Sequence, residues 1–172
     1  LRVRSSAASD VYKGPILFAE KIKDEEGMMG MCGPLGICYR RLGDLDSSLF
    51  YYKKGLETAI ESQNTEYEIY LNNCISVLFN EQKRYREAIE YSDKAENKAT
   101  ATNDTIERLS AHANKGAIFM RQGLYRKSID FLTPLWGMVK EANYNVLTLK
   151  YLSPLLKSYL ALGKTDSVMH YM

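Results

Sequence analysis

Two histidines, His112 and His170, are the side chains best suited to acid–base or metal chemistry, and each stands on a different expected helix. A zinc site needs several His, Cys or carboxylate ligands brought to one face, as the H-x-x-x-H spacing does. Neither histidine has a second histidine at that spacing or the several ligands such a site needs. Acid–base work at His112 would need a partner within hydrogen-bond reach, and the spacing identifies none, so a packing or surface role is expected. Cys32, Cys38 and Cys74 are odd in number and wrongly spaced for a disulfide framework. Cys32 and Cys38 point in different directions on one expected helix, and all three read as free, buried thiols. Gly27, Gly30, Gly33 and Gly36 recur at every third residue rather than clustering as a phosphate-binding loop does. Each costs a helix about 1 kcal/mol relative to Ala, and close helix packing is the expected reason for them. No catalytic residue, cofactor or metal is expected, and the chain reads as a non-enzyme.

Charge points the same way. Lys plus Arg is 23 and Asp plus Glu is 21, a net charge of +2. That excess makes no electrostatic case for nucleic acid or an anionic membrane as partner. Lys83, Arg84 and Arg86 cluster at a turn but are followed by Glu87 and Glu90, and Glu90 can pair with Lys94 one turn on for a few tenths of a kcal/mol. Ser153, Pro154, Lys157 and Ser158 interrupt the best apolar stretch, so no membrane span is expected. Leu1 to Asp10 carries Arg2 and Arg4 without the apolar core of a signal peptide. The chain lacks an initiator Met and reads as a piece of a longer protein, which leaves a cytoplasmic or periplasmic location open.

The elements that would position any site are set by an internal repeat. Shifting the chain by 40 residues puts Tyr39, Phe79, Phe119 and Tyr159 in one column and Leu49, Ile89, Ile129 and Met169 in another. Leu45, Tyr85 and Tyr125 share a third with Thr165. A fourth holds Gly43, Gly123 and Gly163, with Lys83 as its exception, and a fifth holds the small residues Ser48, Ala88 and Ser128, with Val168 in the last copy.

Within each copy the apolar residues recur at three- and four-residue steps, as in Leu71, Ile75, Leu78 and Phe79. This predicts helices over 29–42, 45–62, 65–81, 85–101, 105–122, 125–142, 145–162 and from 165 onward. Glycine suits the break inside each copy because a residue after a helix often turns left-handed. Polar stretches between copies, such as Ser62 to Thr65, Thr102 to Thr105 and Asn143 to Asn145, offer side-chain acceptors for the next helix. Short loops force antiparallel neighbours, and the small column lets the second helix approach the first. The expected organisation is one array: a partial copy at 1–28 opening at Gly14-Pro15, full copies at 29–68, 69–108 and 109–148, and a truncated copy at 149–172. With no polar capping helix in sight, the array is expected to continue past Met172.

Leu35-Gly36 with Tyr39, Leu42 to Leu45 with Tyr52, Arg84 to Tyr91 with Ala95, and Gly116, Phe119 and Gly123 to Tyr125 with Ser128 together resemble the tetratricopeptide repeat family. Tyr159, Leu162 and Gly163 carry the resemblance into the last copy. It implies an all-α fold, a right-handed α-α superhelix of antiparallel helix pairs. The period of 40 exceeds the family's usual value of about 34, and the Trp and Pro of its pattern are mostly missing. Long repeats of this kind are similar to those of bacterial regulators and sensors. The carboxylate clamp of some members is not expected, because its matching positions here are Gly33 and Ile37.

On the family register the first helix of each copy lines a concave face. This nominates Ile37, Arg40 and Arg41 from the first copy, and Tyr70, Asn73, Val77, Asn80 and Glu81 from the second. The third offers Ala117, Met120 and Arg121, and the fourth Ser153 and Lys157. Amide, aromatic and cationic groups in this mix suit a protein or peptide segment. The alternative is a structural array that self-associates through its exposed ends without a separate ligand. An RNA-binding helical array would require a strongly basic groove.

Overall fold

The structure, a computed structural model, describes residues 25–164 and 166. The helix expected after Gly14-Pro15 and most of the one expected after 165 lie outside the described residues. The chain forms α1 (Glu25–Leu42), α2 (Leu45–Glu61), α3 (Thr65–Glu81), α4 (Tyr85–Ala101), α5 (Thr105–Arg121), α6 (Tyr125–Leu132), α7 (Trp136–Glu141) and α8 (Asn145–Ala161), with a single 3-10 turn at Thr133–Leu135 between α6 and α7. There is no strand among the described residues.

The turn inside each copy closes on the aromatic column. Gly43, Gly123 and Gly163 have φ of 81°, 78° and 69°, and Lys83 adopts 61° at the same place. The next amide then bonds five residues back: Asp44 N to Tyr39 O at 3.0 Å, Arg84 N to Phe79 O at 2.9 Å, Leu124 N to Phe119 O at 3.0 Å and Lys164 N to Tyr159 O at 3.0 Å. These bonds satisfy carbonyls that a helix end leaves open. Between copies, Gln63, Asn103 and Asn143 take the left-handed conformation, at φ of 55°, 57° and 46°. Asn64 and Asp104 cap the following helices by accepting from Tyr67 N and Glu107 N. The third expected cap is corrected: Tyr144 stands at that position and makes no side-chain bond.

A second correction concerns the helix expected over 125–142. It breaks at Thr133–Leu135, where Pro134 has no N–H to donate. Thr133 instead donates its hydroxyl to Ile129 O at 2.8 Å, and the chain resumes as α7 with Val139 fully buried.

Each hairpin is locked by a ring pair twelve residues apart. Tyr39 stacks on Tyr51 at 5.4 Å, Phe79 tilts against Tyr91 at 5.5 Å, and Phe119 meets Phe131 edge-on at 5.3 Å. Phe79 and Phe119 thus have like surroundings, each also covered by a cation, Arg84 at 4.2 Å and Lys127 at 4.1 Å. The small column is fully buried, as expected: Ser48 and Ser128 donate to Gly36 O and Gly116 O, both at 2.8 Å. In the middle copy Ala88 takes that place, and Ser76 and Ser92 share a bond of 2.6 Å. Of the helical glycines, Gly33 and Gly36 do serve close packing, against Tyr70 and Tyr52. Gly30 faces open space.

Successive hairpins nest through Tyr52, Leu71, Ile75, Leu78 and Ile118 in one core, and through Leu109, Leu132, Leu147, Tyr151 and Leu155 in the next. The result is an all-α solenoid of antiparallel pairs, in which α1, α3, α5 and α8 are the first helices of successive copies.

Candidate functional site

Along the face shared by these first helices, polar side chains tie one copy to the next. Arg40 Nη1 meets Glu81 Oε1 at 2.6 Å. Asn114 Nδ2 donates to Asn73 Oδ1 at 3.0 Å, and Asn73 Nδ2 donates to Glu107 Oε2 at 2.7 Å. Lys150 Nζ donates to the Ser110 hydroxyl. The separations of about one repeat are what place these partners side by side.

Above these ties lies a groove in two connected parts. The larger, of about 420 Å³, has an apolar and aromatic wall that includes Ile37, Tyr70, Val77, Ile106 and Leu147. Arg40, Asn73 and Lys150 also line it. The smaller, of about 220 Å³, is lined by Asn80, Glu81, Met120, Arg121 and Lys157, with Ala117 and Ser153. Val77, Asn114 and Lys150 border both parts. The structure therefore brings the nominated residues of α1, α3, α5 and α8 to one surface, with the exception of Arg41, which is exposed and borders neither part.

Sequence reasoning passed over Tyr52, Cys74, Glu107, Ser110, Asn114 and Lys150. The repeat itself held the signal for three of them: Ser110 and Lys150 are Tyr70 carried forward by one and two periods, and Asn114 is likewise the successor of Cys74.

The electrostatics follow from burial. Burial depresses the half-buried Lys150 below the usual lysine value, an effect that Glu107 and the Cys74 thiol oppose. Burial pushes the Cys74 thiol up to about 11, and Tyr52 up to about 12. A thiol so raised is a poor nucleophile at neutral pH. Cys32 is likewise raised to about 11 by burial, and the three cysteines are free. Cys32 is buried, whereas Cys38 and Cys74 are only partly so. Asn80 is 7% exposed, and its Oδ1 is buried without a hydrogen-bond partner. Such an acceptor costs about 1–3 kcal/mol when left unmade.

His112 lies away from the groove lining. Its ring stacks on Phe131 at 4.0 Å, and its Nδ1 is 3.0 Å from the Tyr151 hydroxyl. It is a packing residue. Among the described residues, no group of three or more His, Cys, Asp or Glu is placed to hold a metal, and no helix is long and apolar enough to cross a membrane.

The described residues thus form a solenoid of paired helices with a groove of mixed apolar and polar lining along its first helices. Residues 31–59 match the family model of the tetratricopeptide repeat, and the chain carries this repeat in a fold of the same type. Three solved structures are similar to it. Two come from a protein of Podosopora anserina assigned as a kinesin light chain with nearly identical TPR-like repeats. One form matches at 12% identity and TM-score 0.73, the other at 11% and 0.70, each over 99% of this chain and 84% of that one. The third is BtubC (BKLC) from P. vanneervenii, at 15% identity and TM-score 0.77 over 98% of this chain and 70% of that one. At these identities the likeness is one of fold. No curated protein matches the chain. Folds of this type are generally protein-interaction scaffolds and typically non-enzymatic.

Proposed function

We propose that the chain is a non-catalytic docking module whose groove takes a protein or peptide segment, and that it forms the sensing or docking region of a larger bacterial regulatory protein, such as a transcriptional regulator or sensor. The observation that carries the docking reading is the continuous groove across α3, α5 and α8, with its apolar wall, its amides and the orphaned Asn80 Oδ1. An extended peptide offers backbone N–H groups for such an acceptor and side chains for such a wall. The regulatory context is supported by the resemblance of the long repeats to those of bacterial regulators.

The docking reading is tested by replacing Asn73, Asn80 and Arg121 with Ala and measuring partner capture beside helicity. Capture should fall by tenfold or more while the circular dichroism spectrum stays unchanged. Undiminished capture would remove the groove from the function. A second reading, self-association without a separate ligand, is favoured by the exposed apolar residues Val146, Leu149 and Leu160, which are 55%, 65% and 56% accessible. Sedimentation across a concentration series distinguishes the two: dimerisation without partner supports self-association.

A further inference from the structure

Helix α8 exposes a position that the earlier first helices bury. Ile69, Leu109 and Leu149 fall in one column of the repeat, on α3, α5 and α8. Ile69 is 1% exposed and Leu109 fully buried, whereas Leu149 is 65% exposed. The cover comes from the second helix of each copy. Ile69 shares a core with Ala95 and Ala99 of α4, and Leu109 shares one with Val139 of α7. The covering column, Ala59, Ala99 and Val139, is itself fully buried. Residues 165–172 are in register with α6, which meets Gly116 through Leu132 and Phe119 through Phe131. They stand opposite Leu156 and Tyr159 in that register, not opposite Leu149.

The sequence holds one more member of the covering column, Ala19. Its segment lies outside the described residues, and its pattern is that of α7. In the third copy the second helix breaks at Pro134 and resumes as α7 from Trp136, which packs on the same core as Val139. Gly14-Pro15 falls in the columns of Pro134 and Leu135, and Ile16 and Ala19 fall in those of Trp136 and Val139. Ala19 leads into α1, three copies from α8 along the stack, so the two meet between molecules.

We propose that residues 15–22 of another molecule of this chain cover Leu149 as α7 covers Leu109, joining molecules head to tail in the register of the repeat. This names the partner in the self-association reading and rests on it. Stacking across the joint withdraws apolar surface at both ends, as it does between copies within one chain. Donor and acceptor are different surfaces, so the contact is heterologous and propagates beyond a pair. Leu149 borders neither part of the groove, which the joint therefore leaves open.

The test is sedimentation of the whole chain across a concentration series, for wild type, Leu149→Asp, Ala19→Asp and an equal mixture of the two variants. Wild type should grow in mass with concentration. Each variant alone has one blocked end and should lose about tenfold or more in affinity. The mixture should form pairs that grow no further, because one intact donor meets one intact acceptor. Ile16→Asp repeats the donor arm in case Ala19→Asp does not fold, with circular dichroism as the check. A mixture as monomeric as its parts overturns the proposal. So does undiminished association of the Ala19→Asp and Ile16→Asp variants, which would assign the contact to two α8 faces. A wild type that stays monomeric at every concentration ends the self-association reading itself, a distinct outcome.

Discussion

The ring of Tyr52 fills the space that a side chain on Gly36 would need: a Cβ there would lie 2.3 Å from Tyr52 Cε1. The same rule of large against absent holds two periods on, where a Cβ on Gly116 would lie 2.4 Å from Leu132 Cγ. In the middle copy both places are held by serine, and Ser76 and Ser92 bond directly at 2.6 Å. One geometric slot is thus filled three ways.

Gly36→Ala should therefore lower stability by about 1–3 kcal/mol through overpacking, despite the helix propensity of about 1 kcal/mol it gains. Gly30→Ala, with nothing within 4 Å of its Cβ, should raise stability by up to about 1 kcal/mol. Urea unfolding of both variants checks the pair. Gly36→Ser with Tyr52→Ser, which copies the middle repeat, should be more stable than the two single changes sum to. Strict additivity in that cycle would remove the complementarity argument.

Lys83 stands at φ 61°, where the other copies have glycine. A side chain there costs about 1 kcal/mol or more, partly offset by the greater freedom glycine has when unfolded. Lys83→Gly should raise stability by roughly 0.5–1 kcal/mol, seen as a higher melting temperature with no change in helix content. An unchanged or lower value counts against the turn account.

His112 is half-buried, and the loss of solvent around it lowers its pKa from 6.5 to about 4. Glu96 opposes that shift, while Lys115 and Arg108 add to it. Below pH 6.5 the unfolded chain takes up a proton that the folded chain resists. Stability is therefore complete above the ordinary histidine value and is lost as pH falls toward 4, by on the order of 2–3 kcal/mol from this residue. Unfolding midpoints at pH 7 and pH 4.5 should differ less in His112→Gln than in the parent. Equal slopes would show that other groups carry the acid sensitivity.

Asn73 both accepts from Asn114 and donates to Glu107. Asn73→Ala leaves both partners short and should cost about 1–2 kcal/mol. In the double change with Asn114→Ala, much of the second loss should already be spent. A cycle measured by denaturant melts reads that coupling directly, and its absence would mean that the two amides act independently.

Much of this was legible before any coordinates. The four-copy columns located the turn inside each copy because turn chemistry is local: a left-handed residue and a carbonyl five back specify the break. Pro134 was not legible as a break, since Pro34 and Pro154 sit inside α1 and α8. Only packing decides which proline a helix tolerates. The ring pairs were half visible, since Tyr39, Phe79 and Phe119 were placed in a column but Tyr51, Tyr91 and Phe131 were not.

The groove was legible to the extent that the family register assigns inner positions. It gave Tyr70 but not its successors Ser110 and Lys150, because a column whose residue type changes from aromatic to hydroxyl to amine carries no compositional mark. It also gave Arg40 and Glu81 as separate contacts, whereas they neutralise each other across one repeat. Pairing between copies depends on superhelical pitch, and that is a property of the stack rather than of the repeat.

The polar ties from Arg40 to Glu81, from Asn73 to Asn114 and from Ser110 to Lys150 all run along the inner side, while the aromatic clasps sit within single hairpins. Stretching the coil would therefore part the inner ties first, with water taking their place at modest cost, and leave each hairpin whole. Extension of such a stack would be resisted by the apolar cores between hairpins and not by the polar ties alone. An occupant bridging neighbouring hairpins would stiffen it, so tension on the array and filling of its inner channel oppose one another.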